Sequence, residues 1–111
     1  MRKINAIILC ASAMSSSIIV EALRKAAHDQ GVDLMVNCSA SLRYRTFDFG
    51  SVDIVLIAPQ VKGQVEDIRK FAAEKGHDQL PFLLIPMREY GLAKGDAILK
   101  LMLKELEKAP Q

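Results

Sequence analysis

The chain contains no tryptophan, and aromatic residues make up only 5% of it. Its formal charge is only +2, and no block of basic residues occurs. Proteins that bind nucleic acid combine a basic surface with aromatic side chains on which bases stack. Because both features are lacking, we expect no nucleic-acid partner.

Long apolar runs are lacking as well. Half of the residues are hydrophobic, but no run reaches the roughly 18 apolar residues of a membrane-spanning helix. This composition is enough for the core of one domain, and 111 residues leave little room for two. We therefore expect residues 1–111 to form a single domain.

Cysteine is scarce, with only Cys10 and Cys38 present. Two cysteines without a secretory signal indicate a reducing cytoplasm, where thiols stay reduced. There is no C-x-x-C motif, since the third residue after Cys10 is Ala13. No cysteine–histidine cluster has the spacing of a zinc site, so we expect no metal and no cofactor.

Apolar runs and amphipathic stretches alternate along the chain. The runs predict four strands, at 4–9, 32–38, 52–58 and 82–85. The amphipathic stretches predict three helices, at 15–30, 61–75 and 96–108. Residues 40–51 are predicted to be an irregular connection, and residues 87–95 a loop. Alternating strands and helices are typical of an α/β fold with a parallel sheet and helices on both faces.

Cys10 lies where such a fold binds its ligands, at the carboxyl ends of the strands. A cysteine between a strand and a helix is close to backbone N–H groups that have no partner within the helix. These groups favour the thiolate over the thiol, and they also bind phosphate oxygens. Small residues after Cys10 let the backbone approach an anion. The pattern therefore predicts an anion-binding loop with a nucleophile at its base, although a cysteine that ends a strand more often only packs.

Three chemistries can use such a loop. Small tyrosine phosphatases have the pattern Cys-x5-Arg, but the sixth residue after Cys10 is Ser16, and residues 11–17 contain no arginine. Thiol redox chemistry usually uses a C-x-x-C motif, which this sequence lacks. Cys38 lies at the same predicted edge, so a Cys10–Cys38 disulfide is not excluded. For Cys38 itself, packing is the favoured interpretation. Reversible phosphoryl carriage needs only a thiolate and an anion site, and it benefits from having no group that directs water onto phosphocysteine. Of the three chemistries, the residues fit reversible phosphoryl carriage best.

Three motifs then indicate a family: "CASAMSSS" after the first strand, "VDIVLIAPQV" around the third, and "YGLAKGDAIL" before the last helix. Together they resemble the IIB component of the bacterial sugar phosphotransferase system, in the lactose/cellobiose class, over nearly the whole chain. We expect the corresponding fold: a three-layer α/β structure with a four-stranded parallel sheet in the order 2-1-3-4, helices on both faces and a phosphatase-like phosphate loop after the first strand.

The resemblance implies a phosphotransferase in which Cys10 is the catalytic residue. Cys10 takes a phosphoryl group from a phosphohistidine of the IIA protein and passes it to a sugar bound by the membrane permease IIC. The protein is then cytoplasmic and associates with the membrane only through IIC. The implied phosphate-binding residues are Ala11, Ser12, Ala13, Met14, Ser15, Ser16 and Ser17. The implied border of the site is formed by Pro59, Gln60, Tyr90 and Gly91.

Two positions depart from the family pattern, since Ala13 and Ala58 stand where glycine is usual. If residue 13 needs a positive φ, alanine is strained there. This departure motivates a second hypothesis, a IIB-like regulatory or binding domain that has lost phosphoryl transfer. A low-molecular-weight cysteine phosphatase is a third. Arg43 and Arg45 follow the second strand, where they lie either near the phosphate edge or on the solvated surface.

Overall fold

A computed structural model describes residues 3–11 and 13–108, with the side chains of residues 13–15 outside that description. The strands are β1 (Ile4–Cys10), β2 (Leu34–Ala40), β3 (Ile54–Ile57) and β4 (Phe82–Leu84). The helices are α1 (Ala13–Asp29), α2 (Val65–Glu74), α3 (Met87–Gly91) and α4 (Gly95–Lys108). Short 3-10 segments occupy Ser41–Thr46, Phe49–Ser51 and Pro59–Gln64.

The four strands form one parallel sheet in the order β2-β1-β3-β4, which confirms the expected topology. β1 has a neighbour on each side, and its apolar residues are buried from Ala6 to Cys10. A strand that is buried on both faces reads as a continuous apolar run, which is why this strand could be recognised in the sequence. The register pairs Leu9 with Ile57 on β3 and Cys10 with Ala40 on β2.

Helices cover both faces of the sheet. Right-handed crossovers from β1 to β2 and from β3 to β4 run in opposite directions across the sheet, so α1 and α2 lie on opposite faces. α4 packs against α1. On the α2 side, Phe71 of α2 meets the rings of Tyr44 and Phe49 at centroid distances of 5.4 and 6.2 Å. This cluster joins the connection after β2 to α2.

Several predicted segments were wrong in part. Residues 87–95 were predicted to be a loop, but Met87–Gly91 forms α3, a helix too short to show apolar periodicity. The second predicted helix began at Val61, whereas Pro59–Gln64 is a 3-10 segment and Val61 has non-helical backbone angles. Its predicted end near Lys75 is confirmed. The third predicted strand was also too long, since β3 covers only Ile54–Ile57.

Local sequence explains the C-terminal end of α1 but not its start. Gly31 has a φ of 70°, the left-handed conformation in which glycine ends helices. At the other end the helix begins at Ala13, earlier than the predicted Ser15. Ser16 and Ser17 therefore lie inside the helix, beyond its first residue.

β2 is an edge strand that contains neither a charged residue nor a proline. Arg24 of α1 reaches this strand, where its guanidinium donates a hydrogen bond to the Val36 carbonyl at 3.1 Å. The same guanidinium forms an ion pair with Glu21 at 2.8 Å. Arg24 thus forms a hydrogen bond with a backbone acceptor of this edge strand.

Within residues 3–11 and 13–108, no helix has both the length and the apolar character needed to cross a membrane.

Gly95 lets α4 approach α1 closely. A Cβ added at Gly95 would overlap the backbone carbonyl of Ala22 in α1. Gly95 is buried, so the two helix backbones are in contact at this point. Any larger residue must push the helices apart.

We expect Gly95→Ala to lower the free energy of unfolding by about 1–3 kcal/mol, the usual cost of overpacking a core. Gly63→Ala is the matched control, because no described atom lies within 4 Å of a Cβ added at Gly63, and it should change stability by no more than about 0.5 kcal/mol. Urea denaturation of the two variants measures the difference. Equal stability of the two variants would contradict the close contact.

Candidate functional site

Cys10 is the last residue of β1, the strand flanked on both sides. Its side chain is buried, and its Sγ donates a hydrogen bond to the Ser39 carbonyl oxygen at 3.6 Å. Only residues 11 and 12 separate Cys10 from the first residue of α1. Because the first four N–H groups of a helix have no partner within it, the thiol precedes a set of donors suited to an anion.

The end of β3 lies beside the end of β1. The Ala58 N–H donates to the Leu9 carbonyl at 2.9 Å, so the segment that follows β3 starts next to Cys10. Pro59 is buried at the start of its 3-10 segment, and Gln60 is exposed. Two of the predicted border residues are therefore on the strand end adjacent to that of Cys10.

Tyr90 connects the segment after β4 to the start of α1. Its hydroxyl and that of Ser16 are 2.9 Å apart and form a buried hydrogen bond. Gly91, the next residue, is exposed. A third predicted border residue therefore contacts a residue of the predicted phosphate-binding segment.

Large apolar side chains are exposed on the segments around this edge. They lie in the second turn of α1, directly after β2, at the start of α3 and directly after α3. These residues are Ile18, Leu42, Met87 and Leu92, with 61–81% of each exposed. Exposed apolar side chains on segments that border one edge of a sheet are suited to contact another protein.

Comparison with known proteins identifies the family. Residues 5–101 match the family model described as "PTS system, Lactose/Cellobiose specific IIB subunit". The chain belongs to this IIB family.

Two curated IIB proteins of Lactococcus lactis illustrate the relationship. The cellobiose-specific EIIB component of subspecies lactis (strain IL1403) is 33% identical over 94 residues, covering 81% of this chain and 84% of that protein. The galactose-specific EIIB component of subspecies cremoris (strain MG1363) is 32% identical over 94 residues, with the same coverage.

Solved IIB structures share the fold. The lactose-specific IIB domain from Streptococcus pneumoniae superposes with a TM-score of 0.73 at 21% identity, covering 94% of this chain and 98% of that one. The cellobiose-specific IIB protein from Borrelia burgdorferi gives a TM-score of 0.76 at 22% identity, covering 99% and 97%.

The segment after Cys10 is described only in part. Ser12 and the side chains of Ala13, Met14 and Ser15 lie outside the described residues. Ala11 is exposed, Ser16 is buried and Ser17 is exposed. The Ser16 hydroxyl forms a hydrogen bond with the Tyr90 hydroxyl.

Ala58 and Ala13 stand at the two positions where the resemblance predicts glycine. Ala58 has a φ of −65° and a ψ of 143°, an extended conformation open to any residue. Alanine is therefore unstrained at position 58. The side chain of Ala13 belongs to the part outside the description.

Arg45 lies along α2. Its Nε donates to the Tyr44 hydroxyl at 3.2 Å, and its guanidinium lies 5.4 Å from the centre of the Tyr44 ring. The same ring packs against Phe71 of α2. Arg43 is exposed, and its carbonyl accepts a hydrogen bond from Thr46. These contacts favour the interpretation of Arg45 as a surface residue over one in which it faces a phosphate.

Cys38 lies beside a groove of about 490 Å³ between α1 and β2, which Arg24 and Asn37 also line. Both cysteines are present as thiols. Cys38 pairs with Ile8, two residues before Cys10 on the same face of the sheet. Burial raises the pKa of the Cys38 thiol, the neighbouring Cys10 raises it further, and Arg24 opposes both effects. Cys38 is therefore protonated at neutral pH and is a poor competitor for a phosphoryl group.

Ser41 was not among the predicted site residues. It directly follows Ala40, the residue that pairs with Cys10, and it is buried. Its hydroxyl has no hydrogen-bond partner among the described residues. No sequence signal distinguishes Ser41 from exposed serines such as Ser17 and Ser51, because its burial depends on how the segment after β2 packs.

In the Cys10→Ser variant only Cys38 remains, and we expect it to react slowly with iodoacetamide at neutral pH. The midpoint of its pH–rate curve should lie above 9.0, the ordinary value for the thiol, because burial disfavours the thiolate. The same variant in denaturant provides the control, where the midpoint should fall to the ordinary value. A folded midpoint at or below that of the denatured chain would contradict the burial of Cys38.

Ser41→Ala should raise the free energy of unfolding by roughly 1 kcal/mol, because it removes a buried hydroxyl that has no described partner. The comparison is Ser51→Ala, which removes a hydrogen bond of 2.7 Å to the Asp48 carbonyl and should be neutral or destabilising. Thermal and urea unfolding measure both. A loss of stability in Ser41→Ala would mean that the hydroxyl binds a partner, such as an ordered water.

Proposed function

We propose that this IIB protein is a phosphocarrier whose Cys10 thiolate accepts a phosphoryl group from a phosphohistidine of IIA. The phosphocysteine then donates the group to a sugar bound by the membrane permease IIC during uptake. In this proposal the 111 residues act as one carrier domain in the cytoplasm, which reaches the membrane only through IIC. The observation that carries it is the position of Cys10, between the end of the central strand and the start of α1.

The first transfer exchanges one bond to phosphorus for another. The Cys10 sulfur attacks the phosphorus in line with the histidine nitrogen, so an S–P bond forms as the N–P bond breaks. The imidazole leaves as the neutral base after taking up a proton. The unpartnered N–H groups at the start of α1 are suited to stabilise the charge on the phosphoryl oxygens.

The thiol proton has to leave before this attack. In the resting structure Cys10 donates to the Ser39 carbonyl, and only the protonated sulfur can do so. Once the proton is lost, the thiolate and the carbonyl oxygen repel each other, and the sulfur is attracted to N–H donors instead. Because the Cys10 side chain is buried, the sulfur must also become accessible from the carboxyl edge of the sheet.

The second transfer reverses the role of the sulfur. A sugar hydroxyl attacks the phosphocysteine, so an O–P bond forms, the S–P bond breaks and the hydroxyl proton passes to solvent or to a base of IIC. Carriage requires that water does not make the same attack. The absence of arginine from residues 11–17 supports carriage over hydrolysis, because a phosphatase uses that cation in the transition state.

The exposed apolar residues around the edge support docking of partner proteins. Leu42 and Met87 flank the site after β2 and β4, on opposite ends of the sheet. A protein that covers both of them also covers the end of β1. Exclusion of water by such a partner would protect the phosphocysteine during transfer.

The regulatory alternative had two substitutions in its favour, and the extended backbone of Ala58 removes one of them. Ala13 is the first residue of α1, and a helical backbone favours alanine. We therefore favour the carrier, and the experiment below discriminates between the two.

Incubation with phosphoenolpyruvate, the general phosphotransferase proteins and a competent IIA should add one acid-stable, iodine-sensitive phosphate to the wild-type protein. Trypsin places Cys10 in peptide 4–24 and Cys38 in peptide 26–43, so mass spectrometry assigns the site. We expect the phosphate on the first peptide, complete loss of it in Cys10→Ser, and wild-type labelling in the matched control Cys38→Ser.

An unlabelled wild-type protein beside an active IIA would overturn the carrier and favour the regulatory domain. Label retained at the same rate in Cys10→Ser would exclude Cys10 as the acceptor. Turnover of p-nitrophenyl phosphate by the wild-type protein, lost in Cys10→Ser, would instead favour the phosphatase.

A further inference from the structure

The hydrogen bond between Ser16 and Tyr90 joins residues 74 positions apart in the sequence, and the two oxygens are 2.9 Å apart. Ser16 is completely buried and Tyr90 is 7% exposed. A hydrogen bond between two neutral groups contributes only about 1 kcal/mol to stability. The pair joins two segments that are otherwise distant in the chain, and this connection defines where the start of α1 lies.

Ser16 directly follows the turn of α1 that offers backbone N–H groups. It is the fourth residue of the helix, and the N–H groups without an intrahelical acceptor are those of the cap and of the first three residues of an α-helix. Fixing the Ser16 side chain therefore fixes the turn whose donors lie closest in sequence to Cys10.

Tyr90 is itself held to the edge of the sheet. Its N–H donates to the Pro86 carbonyl at 3.0 Å. The residue before that proline, Ile85, donates to the Ile57 carbonyl of β3 at 2.9 Å. The Tyr90 hydroxyl thus extends from a backbone that is hydrogen-bonded to the same sheet as Cys10.

A second contact holds the same helix further along. Gly95 lies against Ala22 of α1, six residues beyond Ser16, which corresponds to about 9 Å along the helix axis. Two contacts separated along one helix determine the tilt of its axis as well as its position. Of the two, only the Ser16–Tyr90 bond lies in the first turns.

We propose that Tyr90 is a positioning residue for phosphoryl transfer, which acts through Ser16 to hold the first turn of α1 in register with the Cys10 sulfur. The inference rests on the proposed carrier function. Tyr90 need not touch the phosphate. Its hydroxyl keeps the backbone donors of α1 at the place where the charge of the phosphoryl group develops.

The test compares four proteins: wild type, Ser16→Ala, Tyr90→Phe and the double variant. Rapid-quench mass spectrometry measures the rate at which each accepts phosphate from phosphorylated IIA, and urea denaturation measures its stability. Each single variant should transfer roughly 10- to 100-fold more slowly, the cost of small displacements of catalytic groups. The double variant should be no slower than the single ones, because both remove the same connection.

Stability separates positioning from a purely structural role. A single variant removes the Ser16–Tyr90 hydrogen bond but keeps one of its two buried hydroxyls, whereas the double variant removes both hydroxyls and should regain part of the lost stability. We expect transfer to stay slow in the double variant despite that gain. If transfer recovers together with stability, the proposal is overturned. Tyr44→Phe is the control, since this tyrosine packs on α2 and its variant should transfer at the wild-type rate.

A second readout needs no partner protein. In a Cys38→Ser background, the rate at which iodoacetamide alkylates Cys10 at one fixed pH reports how the start of α1 surrounds the sulfur, and we expect Tyr90→Phe to lower that rate. An unchanged alkylation rate together with unchanged transfer would overturn the proposal. If wild type accepts no phosphate, the carrier function fails, and the alkylation rate alone then decides whether Tyr90 positions the donors.

Discussion

The parallel register of β1 between β2 and β3 is the constraint on which the site depends. It places the end of β1 beside Ala40 on one side and Ala58 on the other. A one-residue slip of β1 would turn Cys10 to the opposite face of the sheet, because successive side chains alternate. Core residues on both faces resist such a slip, so the position of Cys10 is fixed by the packing of the whole sheet.

The fold could be predicted largely because its central strands are buried on both faces. Their continuous apolar runs stand out in the sequence, and Gly31 marks the end of α1 by a conformation that favours glycine. α3 could not be predicted in the same way, since five residues show no helical periodicity. The 3-10 segments after β2 and β3 were missed for the same reason.

The candidate site, like the fold, could be predicted only in part. The location of Cys10 followed from local order, a strand and then a helix, and from motifs that the IIB family shares. The bond between Ser16 and Tyr90 could not be predicted, because it depends on how α1 meets the segment after β4. The burial of Ser41 and the position of Arg45 along α2 also depend on tertiary packing.

The Arg24 contact has a consequence for the behaviour of the protein at high concentration. A regular, uncharged edge strand is a template on which a strand of another chain can add, with its own hydrogen bonds. β2 has this character from Leu34 to Ala40, and the arginine that binds the Val36 carbonyl comes from a neighbouring helix, not from the strand. Protection against self-association is therefore supplied from outside the sheet, which leaves the residues of β2 free to serve the core on their inner face.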